Sequence, residues 1–205
     1  MALSENDEIV LCFFTSAKEE VYSRIRLRDT LLAAYTTAVA ATFAFAKYSS
    51  LGINPSEDTK NALLILPYMG FAFTLLVCYH HLCIATLGAY IKFELRAKLK
   101  TVTTVHVFDG WHRFEEHRNG AQRLRTVGQA IILVIPPITA LFINYEAAIS
   151  SEWSQVVYFW FGVAATLVSL ATIIQTYINQ KQLNGSNERV HERRARSQDQ
   201  KESQV

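Results

Sequence analysis

The chain has 205 residues, 50% of them hydrophobic, a formal net charge of +2 and three cysteines, Cys12, Cys78 and Cys83. Its mean hydropathy is +0.12. An odd cysteine count excludes a simple disulfide framework, and apolar runs without polar faces exclude an ordinary soluble bundle.

The first element, residues 1–29, reads as an amphipathic helix. Val10, Phe14, Ala17, Val21 and Ile25 recur at spacings of four, three, four and four, which places them on one helical face. Ser4 or Asn6 stands where a cap belongs, with acidic residues following. The acidic N-terminus MALSENDEIV lacks the basic flank of a secretory signal and is not expected to be one. This helix is expected to lie along the membrane surface or to pack on other cytoplasmic segments.

Four apolar windows follow, at about 30–50, 62–88, 127–146 and 154–178. Each approaches or exceeds the roughly 20 apolar residues that cross a bilayer as a helix. The first is rich in small residues. Ala33, Thr37 and Ala41 form a ridge at every fourth position, and such ridges let helix backbones approach closely where lipid supplies no hydrophobic drive. Packing within the monomer is the expected use of this ridge. Gly162 and Thr166, with Ser169, form a looser version in the fourth window.

The second window ends in the run Cys78-Tyr79-His80-His81-Leu82-Cys83. At about 100° per residue, Cys78 and His81 share one side of a helix, and His80 and Cys83 share nearly the opposite side. One helix cannot wrap all four around a single tetrahedral metal ion, so no metal and no cofactor are expected. His80 and His81 remain candidates for gating or packing. The window continues through Ala89–Lys100, where Glu94 and Lys98 form a favourable i, i+4 pair.

The connection 92–126 then carries a β-branched patch at 101–108 and a short helix after Asp109 that includes Trp111 and Arg113. The turn signal Asn119-Gly120 is expected to end that helix. Glu94, Trp111 and Arg113 are the candidates for cytoplasmic interaction. In the third window, Pro136 and Pro137 cannot donate backbone hydrogen bonds. They free the carbonyls of Ile132 and Leu133, which need a hydroxyl, water or neighbouring helix instead. A gating hinge is one reading of that pattern, and a static packed kink is the commoner outcome and the one expected. The tail 179–205 is basic and polar and is expected to be disordered. It holds no aromatic residue to stack on bases, so nucleic acid is not an expected partner.

Lys and Arg cluster in the N-terminal segment, the 92–126 connection and the tail. The loop at 147–153 has neither. The positive-inside rule then places both termini and the connection in the cytoplasm. No HExxH, GxSxG, P-loop or GxGxxG motif is present, and an enzyme is not expected.

The run Tyr90-Ile91-Lys92-Phe93-Glu94-Leu95, followed by Trp111 and Glu115, resembles a set of small, mostly uncharacterised bacterial inner-membrane proteins. These have an N-terminal helix, transmembrane hairpins and a juxtamembrane aromatic-Ile-x-x-Glu-Leu stretch. The layout is also similar to that of membrane-spanning effectors of antiphage systems. The resemblance implies an all-α integral membrane bundle of four helices in the inner membrane. The small-residue ridges, the Pro136-Pro137 break and a cytoplasmic face too small for catalysis lead to the expectation of a homo-oligomer that perturbs or gates the bilayer through its cytoplasmic helices. The alternative is an anchor or assembly subunit for a soluble cytoplasmic partner, with an intramembrane enzyme using His80 or His81 a distant third.

A fluorescent reporter that folds only in the cytoplasm, fused after Val205, is expected to be bright. The same reporter inserted at Ser150 is expected to be dark. A bright signal at both positions would contradict the topology.

Overall fold

Residues 5–49 contain neither proline nor glycine, so nothing interrupts a helix there. The computed structural model describes residues 5–49, 62–95, 98, 115–149 and 152–202, with side chains over 8–47, 62–95, 98, 124–149 and 152–183. All of its elements are helical. Helix α1 (Glu5–Ser49) is one unbroken element of 45 residues. The surface helix and the first crossing expected from the sequence are therefore continuous.

Helix α2 (Ile65–Tyr90) passes into a π-helical turn, Ile91–Leu95. Pro67 sits in its first turn, where a missing N–H leaves no intrahelical bond unmade. Helix α3 (Glu115–Ile143) ends in a 3₁₀ turn, Tyr145–Ile149. It runs straight through Asn119-Gly120, which corrects the expected turn there. One interior glycine costs only about 1 kcal/mol, and a 29-residue helix absorbs that. Helix α4 (Trp153–Glu202) continues well past residue 178. The tail expected to be disordered is thus helical as far as Glu202. No proline follows Pro137, and the Arg, Glu and Gln that dominate the tail are good helix formers.

The helices run up, down, up and down. Ala46 of α1 meets Leu66 of α2 in one apolar cluster, whereas Arg24 lies over Tyr79, so these two helices are antiparallel. Tyr68 meets Tyr158, and His81 meets Gln180, so α2 and α4 are parallel. Helix α2 is the hub, packed most extensively on α4 and α1 and then on α3. The four helices are long and apolar enough to cross a membrane.

The half-buried side of α1 includes Val10, Phe14, Ala17, Val21 and Ile25 and continues into buried Arg28, Tyr35 and Ala46. Ala33, Thr37 and Ala41 lie on the other side and are exposed. The small-residue ridge therefore does not pack inside the monomer, because larger residues one step around the helix face α2. Gly162 and Thr166 of α4 are buried. A Cβ on Gly162 would sit 3.4 Å from Pro67 and 3.3 Å from Leu141.

At mid-bundle three helices converge. Pro137 removes the N–H that would pair with the Leu133 carbonyl. The hydroxyl of Tyr35, from α1, donates to that carbonyl over a long 3.4 Å. Tyr35 is completely buried and Leu133 nearly so. Gly70 of α2 makes this possible, since a Cβ there would lie 2.6 Å from Pro137 Cγ and 3.3 Å from the Tyr35 hydroxyl oxygen. Phe73 completes the site, its ring centroid 5.3 Å from that of Tyr35.

Gly70→Ala is expected to lower stability by about 1–3 kcal/mol, the usual cost of overpacking. Tyr35→Phe should cost about 0.6 kcal/mol, the average for an interhelical hydrogen bond in a membrane bundle. Denaturation of both variants in bicelles checks the order. A neutral Gly70→Ala would refute the close approach.

Candidate functional site

Helix α2 divides the Cys78–Cys83 run between two neighbours. Cys78 and His81 face α3 and α4, where they line a crevice with Gln129, Thr176 and Gln180. His80 and Cys83 face α1. His80 lies within electrostatic reach of Arg24 and Arg28, and Cys83 within reach of Arg24. The two directions are those that a regular helix dictates for residues spaced three apart.

On the α4 side, Nε2 of His81 lies 3.1 Å from Oε1 of Gln180 and donates to it in the Nε2-protonated tautomer. Cys78 lies within hydrogen-bonding reach of Thr176. The Thr176 hydroxyl itself donates to the Thr172 carbonyl at 2.8 Å. Thr166 and Ser169 likewise donate one turn back, to Gly162 and Ala165. Most hydroxyls inside α4 are thus satisfied by their own helix.

On the α1 side, the basic end of the bundle carries an ion cluster. Arg28 is only 2% exposed. Its Nε and one terminal nitrogen donate to Oδ1 of Asp29 at 3.2 and 3.0 Å. Arg125, from α3, donates to both oxygens of the same carboxylate at 2.7 and 2.8 Å. One acid on α1 therefore holds two arginines and ties α1 to α3. A turn earlier, Glu20 accepts from Arg24 at 2.6 Å, and the Arg24 guanidinium lies 6.0 Å from the centroid of Tyr79. His80 is buried beside this cluster, and its Nδ1 has no hydrogen-bond partner among the described residues.

The other candidate residues are scattered. Pro137 is buried against Gly70, and Pro136 is half-buried. Glu94 is exposed on the π-helical turn. Trp111 and Arg113 lie outside the described residues, as do the 101–108 patch and Asp109. Arg28, Asp29, Arg125, Tyr35, Gly70 and Gln129 form the built contacts yet do not stand out in the sequence. Asp29 did carry a signal, as a lone acid closing the basic run Arg24–Arg28.

Among the described residues no three His, Cys, Asp or Glu groups come together to hold a metal ion. The crevice offers uncharged donors and acceptors, and the ion cluster offers a structural tie. No known family model, characterised protein or solved structure matches this chain.

Asp29→Ala is expected to destabilise the protein by about 2 kcal/mol, since it strips the buried Arg28 charge of its acceptor. Arg125→Ala should cost under about 1 kcal/mol, because Arg125 is 43% exposed and exposed pairs are weak. Thermal unfolding of both variants in detergent tests this asymmetry, and equal losses would contradict it.

Proposed function

We propose that this chain is a non-enzymatic, multi-pass protein of the bacterial inner membrane that self-associates. The assembly perturbs or gates the bilayer on a cue received by its cytoplasmic helices. The carrying observation is the exposed ridge of Ala33, Thr37 and Ala41. Small residues four apart on an outward face suit close contact with another helix in lipid, and the monomer's own packing leaves that face free.

The exposed apolar surface supports insertion. Only 22% of the apolar window is buried in α3, and the same share in α4. Residues such as Ile131, Ile135, Phe142, Phe161 and Leu167 point outward. A water-soluble monomer rarely carries so continuous an apolar surface.

Spacing along the helices agrees. At 1.5 Å per residue, Trp153 and Tyr177 of α4 stand about 36 Å apart, and Tyr68 and Tyr90 of α2 about 33 Å. On α3, Arg125 stands about 27 Å from Ile143, just before Tyr145. These spans suit a hydrocarbon layer of about 30 Å bordered by interfacial aromatic and basic residues. Among the described residues the bundle interior holds a small crevice of ≈ 30 Å³ lined by Cys78 and His81. A conducting path would therefore run between copies, and the tied proline segment of α3 is a natural element for it to move. The layout shared with membrane-spanning antiphage effectors points the same way.

The second reading is an anchor for a soluble cytoplasmic partner. It is favoured by the length of α1 and α4. From Arg28 back to Glu5, and from Tyr177 on to Glu202, each extends about 35–38 Å beyond the lipid.

Thr37→Cys, in a chain with Cys12, Cys78 and Cys83 changed to Ser, is expected to form a disulfide-linked dimer in native membranes. Ala33→Leu with Ala41→Leu should abolish that dimer and the loss of membrane potential on induction. A chain that stays monomeric and leaves the potential intact would overturn this reading. A stoichiometric soluble partner in its place would favour the anchor.

A further inference from the structure

Gln129 is the exception among the buried polar residues of α3 and α4. It is only 9% exposed, and its amide makes no hydrogen bond with any described residue. The amide atoms are not sealed off, whereas the neighbouring Thr166, Ser169 and Thr176 turn back to their own helix. Gln129 instead lines the half-enclosed crevice between α2, α3 and α4, a cavity of ≈ 30 Å³.

The polar lining of the crevice comprises Cys78, His81, Thr126, Gln129, Thr176, Tyr177 and Gln180. It contains no carboxylate, lysine or arginine, so it does not select a charged group. Val77, Leu133 and Ile173 make the remaining wall apolar. Such a site matches an occupant with one compact hydrogen-bonding head and an apolar chain. The volume agrees, since one water or hydroxyl needs roughly 10–15 Å³ of such space.

Depth agrees as well. Gln129 lies one turn, about 6 Å, inside Arg125 of the ion cluster. This level is just below the charged headgroups, where an uncharged hydroxyl rests and a phosphate does not. Resting on the reading that the bundle lies in a bilayer, we infer that this crevice binds the hydroxyl head of an uncharged membrane amphiphile. The Gln129 amide is its main hydrogen-bond partner. The His81–Gln180 pair closes one side, and the chain of the amphiphile leaves along the half-buried Ala130 and Ile173.

The test uses the full chain in nanodiscs and octanol carrying a diazirine, with labelled peptides identified by mass spectrometry. The readout is per chain, so it stands or falls independently of oligomeric state. Saturable labelling within 126–133 and 173–180 is expected, with competition by octanol and not by octane. Competition by dioleoylglycerol as well would identify the natural source as a lipid, and its failure to compete would identify a free alcohol. Gln129→Leu should weaken labelling about tenfold, because it removes the hydrogen-bonding amide. Labelling that octane competes equally, or that Gln129→Leu leaves unchanged, would overturn the site and leave an apolar or water-filled gap.

Discussion

A carbonyl with no partner inside its own helix governs the middle of this bundle. Pro137 leaves the Leu133 oxygen unpaired, and the Tyr35 hydroxyl of α1 reaches it. That reach requires α1, α2 and α3 to approach at one level, and Gly70 is the residue whose missing side chain allows it. An interior proline costs about 3 kcal/mol in a helix. Here the cost is offset by a specific interhelical bond and by the packing of Phe73 and Val77 around Tyr35. Where lipid is as apolar as leucine, contacts of this kind rather than hydrophobic burial hold helices together.

The same rule sorts the polar groups. Hydroxyls on α1 and α4 turn back to their own carbonyls, as Thr37 and Thr166 do. Groups that cannot do this face other helices. Asp29 collects two arginines and fastens α1 to α3 near the basic end. His81 finds Gln180, whereas His80 remains buried beside the Arg24–Arg28 side of α1. The tie at Asp29 and the bond at Tyr35 lie on the same side of Pro136-Pro137. Release of both would leave the basic-end half of α3 held mainly by α2 and α4.

Much of the architecture was legible in the chain. Four apolar windows became four long helices because each carries more apolar residues than one face needs. The pairing within Cys78–Cys83 was legible because three residues turn a helix by about 300°. The freed carbonyl at Leu133 was legible because proline has no N–H. Its partner was not, since Tyr35 lies 98 positions away and one tyrosine in an apolar run resembles any other. The ridge at Ala33, Thr37 and Ala41 was read as internal and faces outward. Spacing identifies which residues share a face but not which face meets a neighbour.

Local chemistry is what the sequence by itself determined: the helical character of the four apolar windows, the length of each apolar run, the clustering of charge at one end, and the carbonyl that would lack a partner. These depend on neighbours within a turn or two, and the chain specifies them directly. Tertiary structure alone decided the rotation of each helix about its axis. That rotation buried Arg28 beside Asp29, brought Arg125 across from α3, set Gly70 under Pro137 and left Gln129 facing a crevice. The physical reason is that nearly every face of these helices is apolar. Hydrophobic pattern cannot choose among faces, and the choice falls to the few polar groups and close-packed small residues that only one rotation can satisfy.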